Sequence, residues 1–390
     1  MIDMLKVQRK YSSNGILLAI IFLITVISQY PSFVEKGQSS IISTIVWSIY
    51  AIYFLIVSKN KIPRFIIFPL LFGIFLYIVS VLFHVICGYG YFVKILRNLL
   101  LSIFILFCGC LSSDFISLDD IKLSNYSYVI STLVVSINIY LRFFLHKSLS
   151  GRIYLYASKN SISLIVLTAI IILLIYYPNL KNNRDRIIHI SLIVFFLYFS
   201  LILKCRTVIF TIPVVFIINF VFYSKKVFSN RALILLLCAI AIILLSSNYI
   251  LNIFFQDIIY AGRGTTLAES TSGRVEEWKY FLYEMKGKWL MGDGYSKRES
   301  LILTAIMQYG IFVGLLIIFY SWWPLKYLLS TKIYKGEQGF CLTLIAVAYI
   351  MNSLGEQLSP FGPGARCFYL WFMFGIYGTN HKLCIEEIKK

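Results

Sequence analysis

The run Ser270-Thr271-Ser272-Gly273-Arg274-Val275-Glu276-Glu277-Trp278 sets helix-capping residue types just ahead of acidic ones, which predicts a helix beginning near Gly273. On that helix Arg274, Glu277 and Trp278 share a face by their i, i+3, i+4 spacing, with the arginine next to the partly positive N-terminus. Such a corner suits an anion. A guanidinium there can grip a phosphate through two parallel hydrogen bonds, a geometry that lysine lacks. An ordinary interfacial salt bridge from Arg274 to Glu276 or Glu277 would use the same residues. The helix is expected over about 273–290, ending before Gly292-Asp293-Gly294.

A second set of charges stands where charge is costly. Lys204 and Arg206 lie between two strongly apolar runs in Leu203-Lys204-Cys205-Arg206-Thr207, and ionisable groups beside lipid usually mark function. The alternative is that both snorkel to the interface at a short turn. The other reactive types are dispersed. Eight cysteines show no C-x-x-C pair, four histidines are far apart, and neither H-E-x-x-H nor a glycine-rich phosphate loop occurs. No metal site and no nucleotide site is expected.

The elements that must position these residues are set by composition. Of 390 residues 59% are hydrophobic and 14% charged, with mean hydropathy +0.82, which excludes a soluble multidomain protein. The aromatic share of 17% fits rings at two membrane interfaces and in helix contacts. The net charge of +19 sits in short clusters between apolar runs, such as Lys59, Lys61 and Arg64. That is the pattern of topology signals, and no nucleic-acid partner is expected.

A crossing helix takes about 20 mainly apolar residues, and candidates fall near 15–30, 40–57, 65–87, 95–111, 126–145, 161–178, 187–203, 207–223, 232–250, 301–320, 340–354 and 367–378. The expectation is one integral membrane domain over residues 1–390, all-α and polytopic, with about 12 transmembrane helices. The first run follows Lys6, Arg9 and Lys10 without a convincing cleavage site and reads as a retained anchor. With the N-terminus inside, loops 58–64, 112–125, 179–186, 224–231 and 321–339 fall in the cytoplasm, as does the C-terminus. All but 112–125, which holds Asp114, Asp119 and Asp120, are basic. Two loops fall outside, 146–160 and the much longer 251–300, the only sizeable polar stretch and the natural place for a site.

Ser272-Gly273-Arg274 with Trp278, then a helix, then Gly292-x-Gly294, then an apolar span, resembles the bacterial O-antigen polymerase and O-antigen ligase superfamily (Wzy and WaaL) over roughly residues 150–320. Further pieces are similar to that family: Leu203 through Thr207, Gly151-Arg152 through Lys159-Asn160-Ser161, and Glu299 through Gly310. One departure is informative. Ligases of the family begin the last segment with His-Asn, where this chain has Glu299-Ser300, so the resemblance favours the polymerase branch.

The resemblance implies a type C glycosyltransferase architecture in the bacterial inner membrane, with the site on the periplasmic side. It implies a donor glycan on undecaprenyl pyrophosphate, moved onto the end sugar of another lipid-linked unit, with no cofactor. Charge on the departing pyrophosphate then falls to arginines, Arg206 and Arg274 first, with Glu299 accepting the proton of the attacking hydroxyl. Glu269, Glu277 and Asp293 are other candidate bases, and Glu299 has its own alternative in an ion pair with Arg298 or Lys297. Arg152, Asn160, Lys204, Glu277 and Trp278 are the expected substrate-binding residues. Membrane lipids and a chain-length regulator are the implied partners. Competing readings are an O-antigen ligase and a polysaccharide flippase or secondary transporter. Transporters usually show repeated halves and mid-membrane charges, and no convincing repeat is visible here.

Overall fold

Within hydrocarbon the backbone must satisfy its own polar groups, which helices do along their length. The computed structural model describes residues 11–59, 62–87, 94–145, 156, 158–227, 274–362, 366–380 and 383. Among them there is no strand, and the helices are α1 (Ser13–Ile27), α2 (Pro31–Glu35), α3 (Ser39–Val57), α4 (Arg64–Cys87), α5 (Lys94–Ser112), α6 (Leu118–Ile139), α7 (Lys159–Tyr176), α8 (Asn183–Ile202), α9 (Arg206–Val227), α10 (Arg274–Glu284), α11 (Leu301–Ser330), α12 (Glu337–Ser353) and α13 (Phe368–Thr379). Seven described helical stretches are long and apolar enough to cross a bilayer: Ser39–Val57, Arg64–Leu82, Ile95–Phe115, Leu118–Phe144, Lys159–Asn179, Asn183–Ile202 and Leu301–Ser330. The chain is therefore an α-helical polytopic membrane protein. The expected span 232–250 lies outside the described residues.

Successive helices run antiparallel, and bonds between their ends sort the loops into two sets. At one end the Asp120 carboxylate accepts from Ser12 N and Oγ, both at 2.9 Å, the Asn380 amide donates to the Ser113 carbonyl at 2.8 Å, and Asn179 donates to Glu337 at 2.8 Å. At the other, Asn138 donates to the Tyr30 hydroxyl at 2.6 Å and Arg142 pairs with Glu35 at 3.0 Å. Two loops read from sequence are shorter than expected. In 112–125 the acidic residues are helical: Ser117 and Asp120 form a capping box that starts α6 at Leu118. In 321–339, α11 continues to Ser330 despite Pro324, which leaves a six-residue link before α12.

Burial separates helices that have similar hydropathy. Helices α7 and α13 are central, with every residue from Ile162 to Tyr176 and from Phe368 to Gly378 buried. Helices α3 and α4 are peripheral and expose large apolar side chains such as Ile56, Phe68 and Leu71. Helices α5 and α13 touch backbone to backbone, since a Cβ on Gly109 would lie 2.1 Å from the Phe372 carbonyl oxygen. A polar network inside the bundle ties α6, α7, α12 and α13: Asn125 donates to the Tyr176 hydroxyl at 2.6 Å and to Gln338 at 3.0 Å, and Tyr369 donates to Asn125 at 2.9 Å. At only 12 residues, α13 is short because the segment before it folds back into the bundle. There Phe361 is buried, its carbonyl accepts from Ser102 at 3.2 Å, and Trp371 donates to the Pro360 carbonyl at 2.8 Å. Irregular backbone at such depth is tolerated because protein covers it.

Candidate functional site

Three chain segments meet at the end of the bundle that carries the α8–α9 turn. Lys204 takes a left-handed backbone (φ 52) and is buried, which lets α9 start at Arg206 directly after α8. The turn is tied to its neighbours: the Lys159 Nζ donates to the Lys204 carbonyl at 3.5 Å, and Asn352 donates to the Thr207 hydroxyl at 3.1 Å. Lys159 opens α7, so Asn160 sits in that helix's first turn, where amide groups lack intrahelical partners.

Beside this turn lies a cavity of about 350 Å³ lined by Ser158, Asn160, Ser161, Arg298, Glu299, Gly355, Glu356, Gln357, Leu358 and Arg366. That volume falls in the range of ligand sites, about 300–1,000 Å³. Glu356 organises its floor, accepting from the Asn160 amide through one oxygen and from Arg366 through the other at 3.0 Å. The pair is largely withdrawn from water, with side-chain exposures of 6% for Arg366 and 13% for Glu356. Burial opposes the Arg366 charge, the Glu356 carboxylate outweighs that cost, and the guanidinium pKa lies above its ordinary value.

The cavity is rich in unused donors. Arg366 Nε, Arg298 Nε and Gln357 Nε2 are buried and have no hydrogen-bond partner among the described residues. An unmet buried donor costs about 1–3 kcal/mol, and three on one wall are what an anionic or polyhydroxylated ligand would satisfy. Glu299 stands exposed at the rim. Arg298 pairs with Glu284 of α10.

Helix α10 lies over the start of α11. Phe281 and Met285 pack against Leu303 and Met307, and Glu277 accepts from the Glu299 amide at 3.4 Å. Its described part runs from Arg274 and stops at Glu284, short of 290, and Gly287 with φ 78 turns the chain away; the expected start near Gly273 lies at the edge of the described residues. By its three- and seven-residue spacing Arg274 occupies the face of Glu277 and Phe281. Trp278 is 46% exposed, outside the cavity lining. Asp293 is buried and accepts from the Tyr295 and Ser296 amides at 3.2 and 2.9 Å and from the Ser296 hydroxyl, so it shapes a turn. Arg152, Glu269 and the stretch 251–273 lie outside the described residues.

The structure thus gathers Asn160 and Glu299 on one cavity, with Lys204, Arg206 and Glu277 beside it, while Trp278 is outside its lining. Sequence reasoning missed Arg298, Glu356, Gln357 and Arg366. A signal was present: Glu356 is the only acidic residue between Glu337 and Glu386, and Arg366 the only Lys or Arg between Lys335 and Lys382. Lone opposite charges ten residues apart in apolar sequence meet the criterion that singled out Arg206. Among the described residues no three His, Cys, Asp or Glu side chains gather as metal ligands would. No protein-family model matches the chain, and no curated protein matches it in sequence.

Proposed function

We propose that this protein is an O-antigen or surface-polysaccharide polymerase of the bacterial inner membrane, which moves a growing glycan from undecaprenyl pyrophosphate onto the end sugar of another lipid-linked repeat unit. The observation that carries the reading is the cavity in which arginine donors and carboxylates converge at one end of an apolar bundle, beside the Arg206 turn and under α10. A lipid-linked donor keeps its tail in the bilayer and its phosphates at the interface, so a site at a helix-bundle end is where the two halves of the substrate separate.

In this reading the acceptor hydroxyl oxygen attacks the anomeric carbon and the bond from that carbon to the pyrophosphate oxygen breaks. The electron pair leaves on the undecaprenyl pyrophosphate. Arginines meet that charge, with Arg206 and Arg274 as first candidates and Arg298 and Arg366 added by the cavity. The hydroxyl proton passes to a carboxylate, for which Glu299 is the candidate. It is exposed at the rim, whereas both Glu356 oxygens are committed to Asn160 and Arg366. Lys204, Asn160 and Glu277 position the substrate, and Arg152 and Trp278 belong to the approach.

The test is the length distribution of surface polysaccharide on gels, in a host deleted for the gene and complemented with wild type, Arg206→Lys, Arg274→Lys or Arg366→Lys at matched membrane levels. Deletion is expected to leave single repeat units on the acceptor, and the lysine variants to restore no long chains. Loss of even the single unit on deletion would replace polymerisation by ligation or translocation.

A further inference from the structure

At the end of the bundle opposite the arginine-lined site, a second cavity of about 870 Å³ opens where α3 gives way to α4. Lys59, Arg64 and Asp114 line it with the apolar Ile62, Phe65 and Phe115. All three charged residues are exposed, and among the described residues none forms an ion pair or a hydrogen bond through its side chain. Were the group only a structural salt bridge, Asp114 would take one of the cations. Lys59 is moreover held at φ 52, a left-handed backbone that is uncommon for a residue with a side chain.

The surroundings name the ligand. Helices α3 and α4, which frame the opening, are the least buried of the candidate spans, at 28% each. Ile49, Ile52 and Ile56 of α3 and Phe68, Leu71 and Phe75 of α4 are exposed, so both helices that meet at the cavity present large apolar side chains outward. A free anion would have no use for that surface. A phospholipid would occupy both parts, with its acyl chains along α3 and α4 and its phosphate between Lys59 and Arg64. Basic pockets between membrane helices bind acidic headgroups in this way. Among the described lining residues two cations face one carboxylate, a charge of +1, which complements a headgroup of charge −1 and gives a zwitterionic one no net attraction.

We propose that this cavity is a binding site for an anionic phospholipid of the phosphatidylglycerol type, separate from the arginine-lined site. The proposal does not depend on the polymerase reading. It is tested by native mass spectrometry of the delipidated full-length protein in detergent, titrated with phosphatidylglycerol, phosphatidylcholine or inorganic phosphate. Wild type is expected to retain one phosphatidylglycerol in preference to phosphatidylcholine, and Lys59→Gln and Arg64→Gln each to weaken it about five-fold. The charge-keeping double exchange Lys59→Arg with Arg64→Lys is expected to bind as wild type does, and Asp114→Asn at least as tightly. Equal retention of the two lipids, unchanged binding by both Gln variants, or displacement of the lipid by equimolar inorganic phosphate would each overturn the assignment.

Discussion

Glu356 has no spare oxygen: one is taken by Asn160, the other by Arg366 at 3.0 Å. Removing its charge strands a buried guanidinium, so Glu356→Gln is expected to lower stability by about 3–5 kcal/mol, read as an earlier unfolding transition of the purified protein. Glu299 at the rim is expected to behave oppositely. Its carboxylate is exposed, and Glu299→Gln is expected to stay within about 0.5 kcal/mol of wild type while abolishing chain extension on the polysaccharide gel. A Glu299→Gln protein that extends chains normally would remove Glu299 as the base. The contrast was not visible in sequence. Both are glutamates next to apolar segments, and what separates them is burial: the Glu356 side chain is 13% exposed and bonded to Asn160 and Arg366, whereas Glu299 is exposed at the rim.

At the scale of elements, α11 is two helices joined at Gly310, whose φ of 75° and ψ of 174° are essentially open to glycine alone. The break frees two carbonyls and an amide that the preceding loop then satisfies: Asp293 N donates to the Met307 oxygen at 2.8 Å and Gly294 N to the Gln308 oxygen at 3.1 Å, while Ile311 N donates to the Trp289 oxygen at 2.8 Å. The loop after α10 is thereby stitched into the membrane helix, which holds Arg298 and Glu299 at the cavity. A Cβ on Gly310 would lie 2.1 Å from the Leu290 oxygen. Gly310→Ala is therefore expected to undo this junction at a cost above about 3 kcal/mol, with the 289–296 segment becoming susceptible to proteolysis in detergent. Unchanged protection of that segment would show that the junction is not what holds it. The glycines stand out in the sequence. Their joint purpose does not, because the two halves of each backbone bond are 14 to 22 residues apart.

For the whole molecule, the end-to-end bonds divide the loops into two sets, with Lys36 and Lys297 in the set beside the arginine-lined cavity and Lys181 and Lys332 in the other. If the N-terminus is cytoplasmic, as the proposed function requires, single cysteines at Lys36 and Lys297 are expected to react in intact cells with a membrane-impermeant thiol reagent. Cysteines at Lys181 and Lys332 are expected to react only after permeabilisation. The reverse labelling would put the cavity on the cytoplasmic side and remove the basis for a periplasmic polymerase.

Helices α3 and α7 have mean hydropathies of 2.1 and 2.3, yet 28% of one span and 89% of the other is buried. Sequence determined that both are membrane helices, because apolar length alone decides that a segment leaves water. Lipid and protein interior are equally apolar, so hydropathy carries no information about which of the two a helix faces. Only tertiary structure decided that α7 and α13 form the centre, and that Glu356 and Arg366 meet Asn160 across about two hundred residues of chain. A local pattern, the turn at Lys204 between two apolar helices, was legible because its cause lies within a few residues. The cavity was not, because its walls come from segments whose proximity depends on how the helices pack.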